Sequence, residues 1–315
     1  MGIVVSLICF VASGHAQINP GIQADSWREG PHRAETIDEL LLFQRAQAKG
    51  TNLVTGTFYW NSYGRIKTEK DGSDCSFILG YKALSVGFDA NSPIKNGDFW
   101  DVAVIGGARV GEFGDGWQLE VLGGAGSAND SHWGNADAIY GAGVIGATKQ
   151  LSDAASVHSG VYYDGNRDLL PEVPLPYITY RREFCEEVGA TIGFPASAIL
   201  YHPLRYLGLT VDYTFPDEFT ARSACDLTRN VSLFVQYARS TDAFHIEGRG
   251  SERLFYELER VNGGIRWITK WFDASMGVGY AFDQRFSHGE DIRDLTRVLR
   301  LEDVPFLALK LQGTF

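Results

Sequence analysis

Apolar and polar residues alternate along most of the chain from about residue 52 onward. The clearest example is the stretch FDASMGVGYAF, residues 272–282. Its large apolar side chains share one parity: Phe272, Met276, Val278, Tyr280 and Phe282. Because successive side chains of a β-strand point to opposite faces, this spacing predicts a strand with one apolar face and one small or polar face.

Two environments suit such a strand. In a soluble β-sandwich the apolar face packs on a protein core, whereas in a membrane barrel it contacts lipid and the polar face borders a wet lumen. The stretch RVNGGIRW favours the barrel, because Arg260, Asn262 and Arg266 share one face. We therefore expect these three side chains to face a lumen, and the five apolar residues of 272–282 to face lipid.

The composition supports an all-β chain. Among 315 residues there are 36 glycines and two methionines, and 13% of the residues are aromatic, which favours glycine-punctuated strands over helices. The net charge is −11 and no basic cluster stands out, which argues against nucleic acid as a partner. Outside the N-terminal segment no apolar run approaches the ~20 residues that a membrane helix needs, so a membrane span has to be made of strands.

The N-terminal segment 1–16 has the pattern of a signal peptide. The apolar run IVVSLICFVA is followed by Gly14 and Ala16, small residues at the −3 and −1 positions of a cleavage site. We expect export through cleavage after Ala16. The alternative is a hydrophobic helix retained as an anchor, although the run is shorter than the ~20 residues that a span needs.

Residues 17–51 are predicted to form a periplasmic segment that contains one short helix. The stretch AETIDELLLFQRAQAKG, residues 34–50, clusters leucines among charges, and Gly50 suits the position after a helix end. This helix would serve as a plug or linker, or pack against a folded domain.

Residues 52–315 are predicted to form a single antiparallel, up-and-down transmembrane β-barrel. At ~20 to 22 residues per strand and connection, this length gives about 12 strands, with 10 or 14 as alternatives. The last strand, FLALKLQGTF, alternates through Leu307, Leu309 and Leu311 and ends on Phe315. This ending resembles the C-terminal signal that the barrel-assembly machinery recognises in bacterial outer-membrane proteins.

A family resemblance agrees with this prediction. The stretch from GNRDLLPEVPLPYITY to LGLTVDYTF, with Gly193, Phe194 and Pro195 at a corner, resembles a family of bacterial, planctomycete-type outer-membrane β-barrel proteins of unassigned function. The stretch GGIRWITKWFDASMGVGYAFDQRF is similar to the penultimate strand of that family. The likeness covers roughly residues 75–315. It implies the barrel architecture and the outer-membrane location, but no active site.

Two short motifs are weak candidates for catalysis or cofactor binding. GAGVIG, residues 141–146, matches G-x-G-x-x-G and has Asp164 downstream, but the dinucleotide site needs a helix after the glycines, and the flanking sequence is β-like. ALSVG around Ser85 lies within a continuous strand pattern instead of a nucleophile turn. We expect neither to be functional.

Histidines and cysteines do not form a recognisable site either. His158 and Ser159 are neighbours and would point to opposite faces of a strand. The cysteines after the signal, Cys75, Cys185 and Cys225, are widely spaced and include no C-x-x-C pair. We therefore predict no catalytic residue, no cofactor and no metal site.

The expected function is that of a porin-like protein of the bacterial cell envelope. It would be a passive small-solute channel or a structural protein in the outer membrane, with membrane lipid and the barrel-assembly machinery as partners and an unidentified solute. Two alternatives stay open: an exported soluble β-sandwich that binds carbohydrate or protein, and an outer-membrane enzyme that acts on lipid.

Overall fold

A computed structural model describes residues 34–68, 77–88, 98–131 and 133–314. The predicted signal peptide, Cys75 and Phe315 therefore lie outside the described residues. Within the described ranges, no helix is long and apolar enough to cross a membrane.

The described chain consists almost entirely of β-strands. One 3₁₀ helix, Ala136–Ala138, interrupts them. In chain order the strands are β1 Ala34–Phe43, β2 Ala46–Gln47, β3 Val54–Thr55, β4 Thr57–Thr68, β5 Phe77–Phe88, β6 Asp98–Phe113, β7 Trp117–Asn129, β8 Ile139–Ser152, β9 Ala155–Asp164, β10 Leu175–Cys185, β11 Val188–Phe194, β12 Ala196–Leu204, β13 Leu207–Thr214, β14 Glu218–Asp226, β15 Val231–His245, β16 Arg253–Ile268, β17 Phe272–Gly289, β18 Thr296–Arg300 and β19 Val304–Thr314.

Sixteen of the described strands form one closed antiparallel barrel. Strand β1 closes it, because Leu40 pairs with Trp60 of β4 on one side and with Leu309 of β19 on the other. Strand β18 only extends the sheet beside the end of β17, and β2 pairs with β3 alone. A single closed sheet leaves no unpaired edge, and it replaces the β-sandwich considered above.

The predicted count of about 12 strands, with 10 or 14 as alternatives, is wrong. Five strands, β10 to β14, lie between Leu175 and Asp226, so each strand with its connection takes only about half of the assumed length. Pro195 alone connects β11 to β12. The assumed spacing therefore overestimates the length of each unit in this part of the chain, and a count based on it is too low.

The predicted N-terminal helix is also wrong, because residues 34–43 form the first barrel strand. Ile37, Glu39, Leu41 and Phe43 alternate as the buried positions of β1. The run Leu40 to Phe43 places apolar side chains on both faces of β1. The apolar and polar residues therefore do not alternate in the sequence, although the buried and less buried positions do. Two strands that are distant in sequence, β4 and β19, supply the backbone hydrogen bonds that favour the extended conformation.

The two ends of the barrel differ in their connections. At one end, which we call the short-turn end, the described links have two to four residues: 114–116, 153–154, 186–187, 205–206, 227–230 and 269–271. The other end, which we call the long-loop end, carries the longer links 44–56, 130–138, 165–174, 246–252 and 290–303, beside the short connections at Pro195 and at 215–217.

The barrel wall is uneven in height at the long-loop end. Strands β11 to β14 have only seven to nine residues, whereas β15, β16 and β17 have 15, 16 and 18. At roughly 3.3 Å per residue, the tall strands are about 20 to 36 Å longer than the short ones. This difference creates the site described next.

Candidate functional site: a lumen beneath a hairpin lid

The ends of β15 and β16 cross the mouth of the barrel. Strands β7 and β15 lie eight positions apart in the sixteen-stranded sheet, which places them on opposite walls. His245 at the end of β15 nevertheless forms a bridge with Asn129 at the end of β7. We call residues 241–257 the lid, since Thr241 and Glu257 are paired at its base and the hairpin lies beyond them.

An aromatic core inside the barrel supports the lid. Phe244 of the lid lies 5.4 Å from Phe99 of β6, between ring centroids, and Phe99 lies 5.8 Å from Phe88 of β5. Phe286 of β17 continues the row, 4.9 Å from Phe88 and 4.8 Å from Tyr256 of the lid. Each such pair contributes about 0.5 to 1.5 kcal/mol beyond its buried area, so the core stabilises the closed position of the lid.

Arg253 ties the lid to two other loops. Its guanidinium donates to the carbonyl oxygens of Asn166 at 3.2 Å and Arg167 at 3.1 Å, both in the 165–174 loop. It also donates to the carbonyl oxygen of Glu290 at 2.7 and 3.0 Å. The side chain is 1% exposed. The planar fork of arginine allows one buried group to satisfy three loop carbonyls.

A polar cluster joins the same loop to the wall. Asn166 donates to the carbonyl oxygen of Ala243 in the lid at 3.0 Å and to Asp101 of β6 at 3.3 Å. The Asp101 carboxylate also accepts from Lys82 at 2.7 Å and from the Tyr140 hydroxyl at 2.6 Å. Loop, lid and wall therefore form one hydrogen-bonded unit over the lumen.

Nearer the short-turn end, ion pairs line the inner wall. Arg260 donates to both oxygens of Glu39 at 3.0 and 3.1 Å, and Arg65 lies 2.9 Å from Glu35. Arg266 pairs with Asp273. Buried charges of this kind need such partners because the desolvation cost of a lone ion is high.

The residues predicted to face a lumen lie on one face of β16. Arg260 and Asn262 are buried, and Arg266 is half-buried. The contacts of Arg260 with Glu39 and of Arg266 with Asp273 run on the inner side of the wall. That these side chains border a solute path is still a prediction.

The residues predicted to face lipid lie on the outer side of the wall. Val278 is 71% exposed, and Phe272, Met276 and Tyr280 are exposed as well. Phe282 is half-buried and stacks on Tyr237 with ring centroids 6.1 Å apart. In the last strand, Leu309 and Leu311 are exposed and Leu307 is half-buried. Contact with lipid stays a prediction for all of them.

The inner wall of β11 to β14 differs from the rest. No described residue of these four strands belongs to a buried apolar cluster. Their inward side chains are mostly small or polar, and most are only half-buried: Thr191, Ala198, Leu200, Thr210, Asp212, Thr214, Arg222 and Ala224. Water therefore reaches this side of the lumen, next to a half that is packed.

The weak motifs fall on barrel strands. GAGVIG lies inside β8, between the antiparallel strands β7 and β9, so the strand-to-helix context of a dinucleotide site is missing. Ser85 is buried on β5 and pairs with Trp60. His158 contacts Ser156 at 3.1 Å and Thr148 at 2.9 Å, and these same-face contacts were not predicted from the sequence.

Other chemistry is sparse in the described part of the chain. Cys185 and Cys225 are free thiols, and no group of three or more His, Cys, Asp or Glu within these ranges has the arrangement of a metal site. The sequence reasoning missed the lid and its Arg253. No local signal marks them, since their partners lie on loops and strands that are distant in the sequence.

A closed antiparallel barrel with an apolar outer wall defines the class of transmembrane β-barrel proteins. No protein-family model and no curated protein matches this chain. The resemblance of residues 75–315 to a particular outer-membrane family therefore stays a prediction.

Several solved structures are similar to this chain over most of its length. A bacterial polysaccharide outer-membrane secretin has 10% identity and a TM-score of 0.44, over 91% of this chain and 100% of its own. Pseudomonas putida OprB, in its high-pH structure, has 8% identity and a TM-score of 0.38, over 94% and 97%. A Pseudomonas aeruginosa FadL homologue has 10% identity and a TM-score of 0.36, over 90% of each chain. Because all three scores are below 0.5, the class follows from the strand pairing of this chain alone.

Proposed function

We propose that the protein is a passive channel for small solutes in a bacterial outer membrane. The observation that carries the proposal is the partly exposed inner wall of β11 to β14, beside a lumen half that is packed. Barrels of sixteen strands enclose more space than side chains alone fill. The solute path would run along this wall, and no catalytic step, cofactor or metal is part of the proposal.

The proposed orientation follows the usual asymmetry of such barrels, in which short turns face the periplasm and long loops face the outside. The lid would then cover the extracellular mouth. The proposed partners are outer-membrane lipid around the exposed apolar wall and the barrel-assembly machinery, which would recognise β19. The protein would reach the membrane after export through the predicted signal peptide.

Location is tested by the electrophoretic mobility in SDS of the outer-membrane fraction, with and without boiling. Folded barrels resist SDS and change mobility when heated, so we expect a heat-modifiable band in this fraction. A band found only in the soluble periplasm, with the same mobility after boiling, would contradict the proposal.

Passage is tested by swelling of liposomes that contain the refolded full chain, with neutral monosaccharides outside. We expect slow swelling with the native chain and faster swelling with Arg253→Ala, which frees the lid from the 165–174 loop and from Glu290. The matched control is Arg249→Ala, since Arg249 is an exposed arginine of the same hairpin and its side chain pairs with the nearby Glu252.

The packed aromatic core favours a second candidate, a structural envelope protein without a path. In that case neither the native chain nor Arg253→Ala would increase swelling above that of empty liposomes, although both would be folded and heat-modifiable.

A further inference from the structure

Two carboxylates lie together on the inner wall at the base of the lid. Glu218 begins β14, and Asp242 belongs to the lid part of β15. The pairing of Phe219 with Arg239 places Glu218 opposite Ser240, two residues from Asp242 on the same face. Side chains in this diagonal relation are close neighbours, and two like charges there repel each other.

Both carboxylates are buried and incompletely satisfied. Glu218 is 6% exposed and Asp242 is 3% exposed. Among the described residues, the Oε1 atom of Glu218 and the Oδ2 atom of Asp242 have no hydrogen-bond partner. A buried carboxyl oxygen without a hydrogen-bond partner is costly, so the arrangement points to a missing donor.

A third polar group, which is not acidic, lies near the two carboxyl groups. The hydroxyl of Tyr59, on β4, is fully buried and also has no hydrogen-bond partner among the described residues. Tyr59 lies within electrostatic range of both Asp242 and Glu218, and it neighbours Tyr256, which is the cross-strand partner of Asp242. The ring of Tyr256 lies 6.4 Å from the Tyr59 ring and adds an aromatic wall.

The nearby cations do not complete the site. Lys82 and Arg260 act on Asp242, but Lys82 is bound to Asp101 and Arg260 to Glu39. Two further carboxylates, Asp168 and Asp217, add negative potential at Glu218. Acidic side chains therefore outnumber basic ones around Glu218 and Asp242.

We infer that Glu218, Asp242 and Tyr59 bind the primary ammonium group of a small solute. An ammonium presents three N–H donors, which match two carboxylate oxygens and one phenol oxygen, and aromatic faces attract its charge. The inference rests on the proposed channel function and narrows it, because it names amines as the class of solute.

The test is calorimetric titration of the full chain, refolded in detergent micelles, with n-butylammonium chloride. We expect saturable binding that becomes at least ten-fold weaker in Asp242→Asn and Glu218→Gln, and several-fold weaker in Tyr59→Phe. The matched controls are Asp115→Asn and Glu186→Gln, in exposed turns at the other end of the barrel, which should bind as the native chain does.

A comparison on the native chain keeps the inference testable if a variant fails to fold. Tetramethylammonium has the same charge and no N–H donor, and we expect it to bind at least ten-fold more weakly than n-butylammonium. Equal affinity for the two cations, absence of n-butylammonium binding to a heat-modifiable chain, or unchanged binding in the folded variants would each overturn the inference.

The liposome swelling described above separates this inference from the channel proposal. Swelling with monosaccharides but no amine binding overturns the amine site alone. Amine binding to a chain that never permits swelling overturns the channel alone.

Discussion

The two halves of the lumen are built from the same kind of amphipathic strand, but one half is packed with side chains and the other is not. On the side of β15 to β17, β19, β1 and β4 to β6, inward aromatic and aliphatic side chains form one core of 20 buried residues, which includes Ala46, Ala48, Leu299 and Leu301 from the long links. On the side of β11 to β14, the inward positions are threonines, alanines and a few charges, and most stay half-buried. The size of the inward side chains decides which half is filled.

Strand length separates the halves as well. The tall strands β15 and β16 carry Phe244 and Tyr256 far enough to contact Phe99 of β6 and Phe286. The short strands β11 to β14 end before they can contribute to such a core. The long strands β15 and β16 therefore form a lid over the mouth of the barrel. The short strands β11 to β14 leave the inner wall beneath this lid partly exposed.

The largest expected effect comes from removing the centre of the packed half. Phe286→Ala deletes the contacts with Phe88 and Tyr256 and leaves a cavity, so we expect the free energy of unfolding to fall by about 3 to 5 kcal/mol. The measurement is urea-induced unfolding of the refolded chain in lipid vesicles. Leu200→Ala in the half-buried inner wall of β12 is the control, with an expected loss of about 1 kcal/mol or less. Equal losses at the two sites would remove the distinction between the halves.

The next effect concerns the attachment of the lid. Arg253→Ala leaves three loop carbonyls without their donor, which costs about 1 to 3 kcal/mol for each buried group that water cannot reach. We expect faster amide hydrogen exchange in residues 241–257, measured by mass spectrometry. Exchange in β11 to β14 should be unchanged, and Arg249→Ala should leave the lid as protected as it is in the native chain. Uniform acceleration over the whole barrel would mean that Arg253 supports the fold and not the lid.

A substitution in the open half should affect passage more than stability. Thr210→Trp places a large ring on the half-buried inner wall of β13, so we expect slower liposome swelling in the Arg253→Ala background. The free energy of unfolding should change by less than about 1 kcal/mol, because no tight packing surrounds the position. A large destabilisation with unchanged swelling would show that this wall is packed and that the path lies elsewhere.

The smallest expected effect depends on pH and lies in the 290–303 link, outside the barrel wall. Hydrogen bonds from Arg293, joined by one from the Leu170 amide, hold the pKa of Asp291 below its ordinary value of 3.8. Because the pKa is lower in the folded state than in the unfolded state, the ionised Asp291 carboxylate stabilises the fold above pH 3.8. This contribution is lost as the pH falls through the lowered pKa. We expect a slightly steeper loss of stability to urea below pH 3.8 in the native chain than in Asp291→Asn.

Much of the fold could be predicted because each amphipathic strand of the wall has an alternating pattern of apolar and polar residues that is visible in a short stretch of sequence. The alternation through Met276, Val278 and Tyr280 is visible in the sequence, and these side chains are exposed on the outer wall. The number of strands could not be predicted equally well. The number of strands depends on how short the links are. A link of one residue, such as Pro195, has no polar loop segment that would separate two strands in the sequence.

The first strand shows why local pattern has limits. Residues 34–43 carry leucines in a run that suits either a helix or a strand, and pairing with β4 and with β19, at the opposite end of the described chain, selects the strand. A helix satisfies its backbone groups locally, whereas a barrel strand satisfies them through neighbours that no local window contains.

The sequence by itself determined that this chain forms antiparallel strands with an apolar and a polar face, because the period of two is set by the backbone geometry of each residue. Only the tertiary structure decided that sixteen strands close the barrel, that β15 reaches the opposite wall at Asn129, and that Tyr59 lies near Asp242. The physical reason is distance along the chain: such contacts arise from closure of the whole sheet, which no single segment encodes.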